Sequence, residues 1–230
     1  MKRMVSLICA ICIAKLVLGQ QDAGKLLRNV RDKLSKVDNY EARGRMRTNV
    51  AFIKAPIANV KVYYKKPDHL KINNESGISF IPKGSVNINL NNIFFNTAGF
   101  DIIDGGIDRS SGLRIIKLLP KDENEDVVLS TLYIEESQSL IRKAKTTTKE
   151  NGTYELEMSY GKYADYGLAD KVVFSFNTKD YKLPKGVTFD YDDGNRKTSQ
   201  GDNLKSKKGK VEIVYSTYVI NKGVPDSVFK

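Results

Sequence analysis

Residues able to do chemistry are few in this chain, and their spacing argues against a reaction. The one histidine, His69, sits in "DHLKI" and alternates onto the polar side beside Lys71. No nucleophile or carboxylate is fixed near it by local spacing, so it lacks the partners a general base requires. Both cysteines, Cys9 and Cys12, lie inside an N-terminal apolar run. A processed chain would then have no thiol for nucleophilic attack, disulfide formation or metal ligation. One histidine without cysteines is a poor zinc set. The carboxylates of "DYDDG" at 190–194 suggest a calcium loop but lack its later glutamate, and they suit a hairpin turn equally. "DGG" at 104–106 and "GKY" at 161–163 lack phosphate-binding spacing, and "NGT" at 151–153 is only a formal glycosylation sequon. The expectation is no catalytic residue, no metal, no cofactor and no enzymatic activity.

The other conspicuous pattern is basic. In "YEARGRMRT", residues 40–48, arginines stand at every second position: Arg43, Arg45 and Arg47. Tyr40, Ala42, Gly44 and Met46 alternate with them and carry no charge. Period two is the signature of a β-strand, with the arginines on one face and an uncharged face behind. The formal net charge of +11 brings nucleic acid into question. Single-strand binders need aromatics and cations converging on one groove. Here the aromatics fall on the dry faces, away from the arginines and lysines. The row therefore reads as the solvated convex or rim face of a strand, opposite acidic strands, and no nucleic-acid partner is expected.

The first 20 residues are set apart. A basic start, Met1-Lys2-Arg3, precedes an apolar run from Met4 to Ala14, and Val17 and Gly19 occupy the −3 and −1 positions of a cleavage site near Gly19/Gln20. This is the pattern of a secretory signal peptide. Neither cysteine has a leucine three residues before it, so lipidation is not expected. Removing Lys2, Arg3 and Lys15 lowers the formal charge from +11 to +8. Residues 1–20 are thus a predicted signal peptide and 21–230 a single domain, large enough for one core.

Two periodicities must position whatever site exists. In "DAGKLLRNVRDKLSKV", 22–37, Leu26, Leu27, Val30, Leu34 and Val37 fall at helical spacing with basic residues opposite, and Asp22 is the expected N-cap. Beyond it the chain alternates: Val60, Val62 and Tyr64; Leu70 and Ile72; Val86, Ile88 and Leu90; Tyr154, Leu156, Met158 and Tyr160; Val172, Phe174 and Phe176; Val187, Phe189 and Tyr191; then "VEIVYSTYVI". Turn chemistry separates the runs at "DGG" 104–106, "RSSG" 109–112, "PKDENED" 120–126, "KENG" 149–152 and "DDGN" 192–195. Sequential strands with short turns predict a mainly β (α+β) antiparallel meander with one dry face. Residues 195–210, basic and nearly free of large apolar side chains, read as a loop. Strands shorter than the roughly ten residues of membrane barrels favour a soluble sheet.

In this order the segments resemble the LolA/LolB-like outer-membrane lipoprotein-sorting family, in its Bacteroidetes-type version. The resemblance lies in "LLRNVRDKLSKVDNYEARGRM", "VYYKKPDHLKI", "LPKDENEDVVLSTLYIEESQSLIRKAKTT" and the closing "YVINKGVPDSVFK". It spans nearly all of 21–230. It implies a strongly curved antiparallel sheet, an unclosed half-barrel with helices over the concave face, and a periplasmic lipoprotein carrier or chaperone serving outer-membrane biogenesis. The implied acyl-chain cavity takes the inward alternates Val62, Tyr64, Leu70, Ile72, Val86, Ile88, Leu90, Leu156, Met158, Phe174 and Phe176, an uncharged surface. The family's lid-contacting arginine precedes the proline of the second segment; Lys66 stands there, without arginine's planar fork. Burying a 16-carbon acyl chain at about 0.8 kcal/mol per methylene contributes on the order of 12 kcal/mol before costs. Implied partners are lipoprotein acyl chains or other lipids, an inner-membrane release complex and an outer-membrane acceptor, with the chain itself monomeric. The alternative on the same fold is an RseB-like envelope lipid or lipoprotein sensor. A packed core in place of a cavity would satisfy the same alternation.

Overall fold

A computed structural model describes residues 23–50, 53–54, 57–67, 69–76, 99–150, 152–177 and 208–229. Residues 23–34 form the single described helix, α1. The strands are β1 (Asn39–Val50), β2 (Ile53–Lys54), β3 (Ala58–Lys65), β4 (His69–Ser76), β5 (Phe100–Ile107), β6 (Arg114–Pro120), β7 (Val127–Glu135), β8 (Leu140–Thr148), β9 (Gly152–Ser159), β10 (Lys171–Asn177) and β11 (Lys208–Ile220). They make one antiparallel sheet in the order β4-β3-β1-β11-β10-β9-β8-β7-β6-β5, with β2 paired to β1. The sheet does not close, since β4 and β5 end the order. This is the expected mainly β half-barrel, with one α-helix among the described residues.

Alternation explains which face is dry. On β1, Ala42, Gly44, Met46 and Thr48 are buried while Arg43, Arg45 and Arg47 are exposed. On β3, Val60, Val62 and Tyr64 are buried and Lys61 and Lys65 are not. The helix lays Ala23, Leu26, Leu27 and Val30 onto the inward side chains of the sheet in one core. Twelve residues of isolated helix are marginal in water. Each of these leucines and the valine, once buried, contributes about 1.5–3 kcal/mol. Packing therefore holds the helix.

Its C-terminal end is pinned. The Lys66 ammonium donates to the Ser35 carbonyl at 2.7 Å and pairs with Asp38 at 2.7 Å. Asn221 donates from Nδ2 to the Lys36 carbonyl at 2.7 Å, while its Oδ1 accepts from the Asp38 N–H at 2.8 Å. These contacts satisfy carbonyls that a helix end otherwise leaves bare. Val37, beyond the helical span, is buried.

Three expectations change or fall elsewhere. "DGG" at 104–106 is not a turn but part of β5: the register shifts between Asp104 and Ile107, and Gly106 takes a φ of 77°. Asp104 Oδ1 accepts the Gly106 N–H at 2.8 Å, so the turn chemistry makes a bulge inside a strand. Lys208–Lys210 belong to β11 rather than to a loop. Asp22, the runs at 85–92 and 186–191, "DDGN" and residues 195–207 lie outside the described residues.

Candidate functional site

Pairing register assembles the concave wall row by row. One row runs Ile102–Leu118–Ser130–Thr146–Tyr154–Phe176–Gly209 across β5 to β11. The next runs Asp104–Ile116–Leu132–Ala144–Leu156–Phe174–Val211 and reaches Thr48 on β1. A third runs Met158–Val172–Ile213–Met46–Ala58. Beyond these, Val62 lies opposite Ala42 and Ile72, and Tyr64 opposite Tyr40 and Leu70.

The predicted wall residues thus divide. Val62, Tyr64, Leu156, Met158, Phe174 and Phe176 are buried on this face, and Leu70 and Ile72 pack against the same core partly buried. Val86, Ile88 and Leu90 lie outside the described residues. Sequence reading missed Ala42, Met46, Ile116, Leu118, Leu132 and Ala144, all within 1% of full burial. Alternation was present at Ala42 and Met46. On β6, Ile115-Ile116 and Leu118-Leu119 place apolar side chains on both faces, so polarity does not say which is inward.

Aromatic rings line two parts of the wall. Phe174 and Phe176 stack with centroids 5.2 Å apart, and Tyr154 meets Phe174 at 5.7 Å. Tyr218 gathers Tyr40 at 5.3 Å, Tyr163 at 4.8 Å and Tyr215 at 5.1 Å. Burial holds the Tyr40, Tyr215 and Tyr218 phenols well above their ordinary range, so all three are neutral. The Tyr218 hydroxyl donates to the Ala169 carbonyl at 2.7 Å. Polar atoms on the wall are also satisfied. Ser130 and Thr146 share a hydroxyl hydrogen bond at 3.0 Å. Tyr154 is raised by burial, partly offset by its hydrogen bond with Thr146.

Charge sits mainly on the outer face, in pairs such as Lys143–Glu155 at 2.7 Å, Lys171–Glu212 at 2.8 Å and Lys61–Glu75 at 3.1 Å. Arg43 and Arg45 do not face acidic strands. Arg43 lies between Lys61 and Thr217, Arg45 between Asn59 and Val214, and only Arg47 is opposite a carboxylate, Glu212. The wall is not wholly uncharged either. Asp104 and Arg114 take inward register positions and pair at 3.4 Å, with Glu136 completing the cluster. Pairing permits them there, because an unpaired buried charge is costly.

One opening among the described residues lies between α1 and β5. Gly24, Leu27, Arg28, Arg31 and Ile102 line a cleft of about 130 Å³. Sites for whole small molecules typically measure about 300–1,000 Å³. Lys66 touches the end of α1 rather than this cleft. His69 is exposed, its ring 5.4 Å from Phe229. Among the described residues no three His, Cys, Asp or Glu side chains gather into a metal set. An apolar wall beneath one helix suits the burial of hydrocarbon.

The fold has solved counterparts. A LolA superfamily protein from Nitrosomonas europaea superposes with a TM-score of 0.55 at 11% identity, covering 90% of this chain and 97% of that one. A DUF1329 family protein from Desulfovibrio piger gives 0.53 at 12% identity, covering 94% and 97%. A Vibrio parahaemolyticus domain assigned to outer-membrane lipoprotein sorting gives 0.52 at 9% identity, covering 90% and 97%. At these identities the likeness concerns the fold, and does not reach the Bacteroidetes-type version. No family model and no curated protein matches the chain.

Proposed function

We propose that this protein is a carrier that takes acyl chains of lipoproteins or related lipids between α1 and the concave wall. It would shelter them across the aqueous periplasm toward the outer membrane. The observation that carries the reading is the wall itself: three overlapping register rows of mostly apolar side chains, which together reach from β5 to β3, under the amphipathic helix α1. Likeness to lipoprotein-sorting folds supports it. The role is one of binding rather than catalysis, in an exported chain cleaved near Gly19/Gln20.

The 130 Å³ cleft is too small for a whole acyl chain. Where a chain enters between α1 and the wall, Leu26, Leu27 and Val30 give up contacts with the sheet. Part of the gain on burying about 16 carbons offsets the contacts of Leu26, Leu27 and Val30 that open. Titrating the delipidated protein with a fluorescent 16-carbon fatty acid tests the reading. The protein should bind one probe, and Leu156→Glu should abolish binding while the protein remains folded. Failure of the parent to bind, together with unfolding of Leu156→Glu, would mean that the wall is a filled core.

A further inference from the structure

We propose that the cleft between α1 and β5 reads the head of the acyl ligand, and that the head is anionic: a carboxylate or phosphate held by Arg28 and Arg31. This rests on the acyl-carrier reading above. Gly24, Leu27, Arg28 and Arg31 are spaced i, i+3, i+4 and i+7, so they form one stripe along a flank of the helix. The stripe faces Ile102, an inward residue of the sheet's last strand, where the half-barrel is open. Leu27 is 2% exposed and, with Ile102, makes an apolar floor. Arg28 and Arg31 are the charged residues of the lining.

Those cations are available. Arg28 is exposed and makes no ion pair among the described residues. Its guanidinium lies over Gly24, where a built Cβ would stand 3.5 Å from Nη1. Arg31 has only a 3.8 Å contact with its chain neighbour Asp32, whose side chain is 72% exposed. On β5 the inward carboxylate, Asp104, is already taken by Arg114 and the Gly106 N–H. Outward-facing Asp101 pairs with Lys121 at 3.8 Å. Arginine's planar fork matches carboxylate and phosphate oxygens two at a time. The size agrees as well. A cavity of about 150 Å³ holds a benzene-sized group, so about 130 Å³ suits a head and its first carbons and leaves the chain to the wall.

The test compares two ligands with one acyl chain and different heads: a 16-carbon fatty acid and its neutral glycerol monoester. The full protein should prefer the acid by on the order of tenfold at low salt, and the preference should shrink with added salt. In Arg28→Gln/Arg31→Gln the preference should vanish, through a loss of acid binding much larger than any change in monoester binding, with the thermal midpoint within a few degrees of the parent. Equal binding of the two ligands by the parent, or an undiminished preference in the double variant, overturns this inference and leaves the carrier reading standing. Binding of neither ligand overturns both.

Discussion

Gly44 lies between two arginines of the exposed row, yet its own position faces inward and is buried. The register of β1 against β11 shifts between Arg43 and Gly44, and the two backbones lie close there. A Cβ built on Gly44 would stand 2.6 Å from the Val214 carbonyl oxygen and 3.2 Å from the Tyr215 Cα. Both are backbone atoms, so no rotamer change relieves the clash. Gly44→Ala must push β1 and β11 apart by several tenths of an ångström and loosen neighbouring ladder hydrogen bonds. Overpacking strain of about 1–3 kcal/mol, plus about 0.5–1.5 kcal/mol for one weakened bond, gives a loss of about 1.5–4.5 kcal/mol. For a chain of this size the thermal midpoint should fall by on the order of 10 °C. Urea and thermal unfolding followed by circular dichroism would measure it. Gly24→Ala provides the contrast, because its Cβ meets only Arg28 Nη1 at 3.5 Å. There, removing a helical glycine should stabilise by about 0.5–1 kcal/mol. A Gly44→Ala loss below about 0.5 kcal/mol would refute the close approach of β1 and β11.

Exchanging Arg43, Arg45 and Arg47 for glutamine should leave stability within about 1 kcal/mol and acyl binding intact, since the row is exposed; a collapse in the fluorescence titration would place it at the site. Lys66→Met removes a partly exposed ion pair and a helix-end hydrogen bond. It should speed amide exchange at the end of α1 by several-fold with at most about 1 kcal/mol lost; unchanged exchange would show that Lys66 does not pin the helix. Phenolate absorbance should lag in alkali, because Tyr40, Tyr215 and Tyr218 have raised folded-state values. The stabilisation tied to their neutral forms is fully present below the ordinary phenol value of 10.0 and is lost above it, as unfolding exposes them. Titration of all tyrosines near pH 10.0 without unfolding would contradict their burial.

Much of this arrangement was legible because period two and period 3.6 survive where one face is wet. The arginine strand, β3 and β9 read directly, since charged or polar residues alternate with apolar ones. The middle of the sheet was harder. On β7 the inward residue Ser130 is fully buried and bonded to Thr146, while Leu129 faces outward, which inverts the usual polarity. "DGG" carries turn residues, but strand pairing to β6 on either side absorbs them as a bulge. Arg28 and Arg31 read as the polar side of a helix. Only the position of Ile102, more than seventy residues along the chain, makes that side a cleft. Asn221 gave no local signal, because its partners Lys36 and Asp38 are distant in sequence.

The most direct test of the carrier role is to purify the protein from its own cells, extract it with organic solvent and weigh what is released. About one acyl-bearing lipid should be released per chain, with a carboxylate or phosphate head. A chain that yields no lipid, and takes up none when offered the 16-carbon acid, would contradict the carrier role.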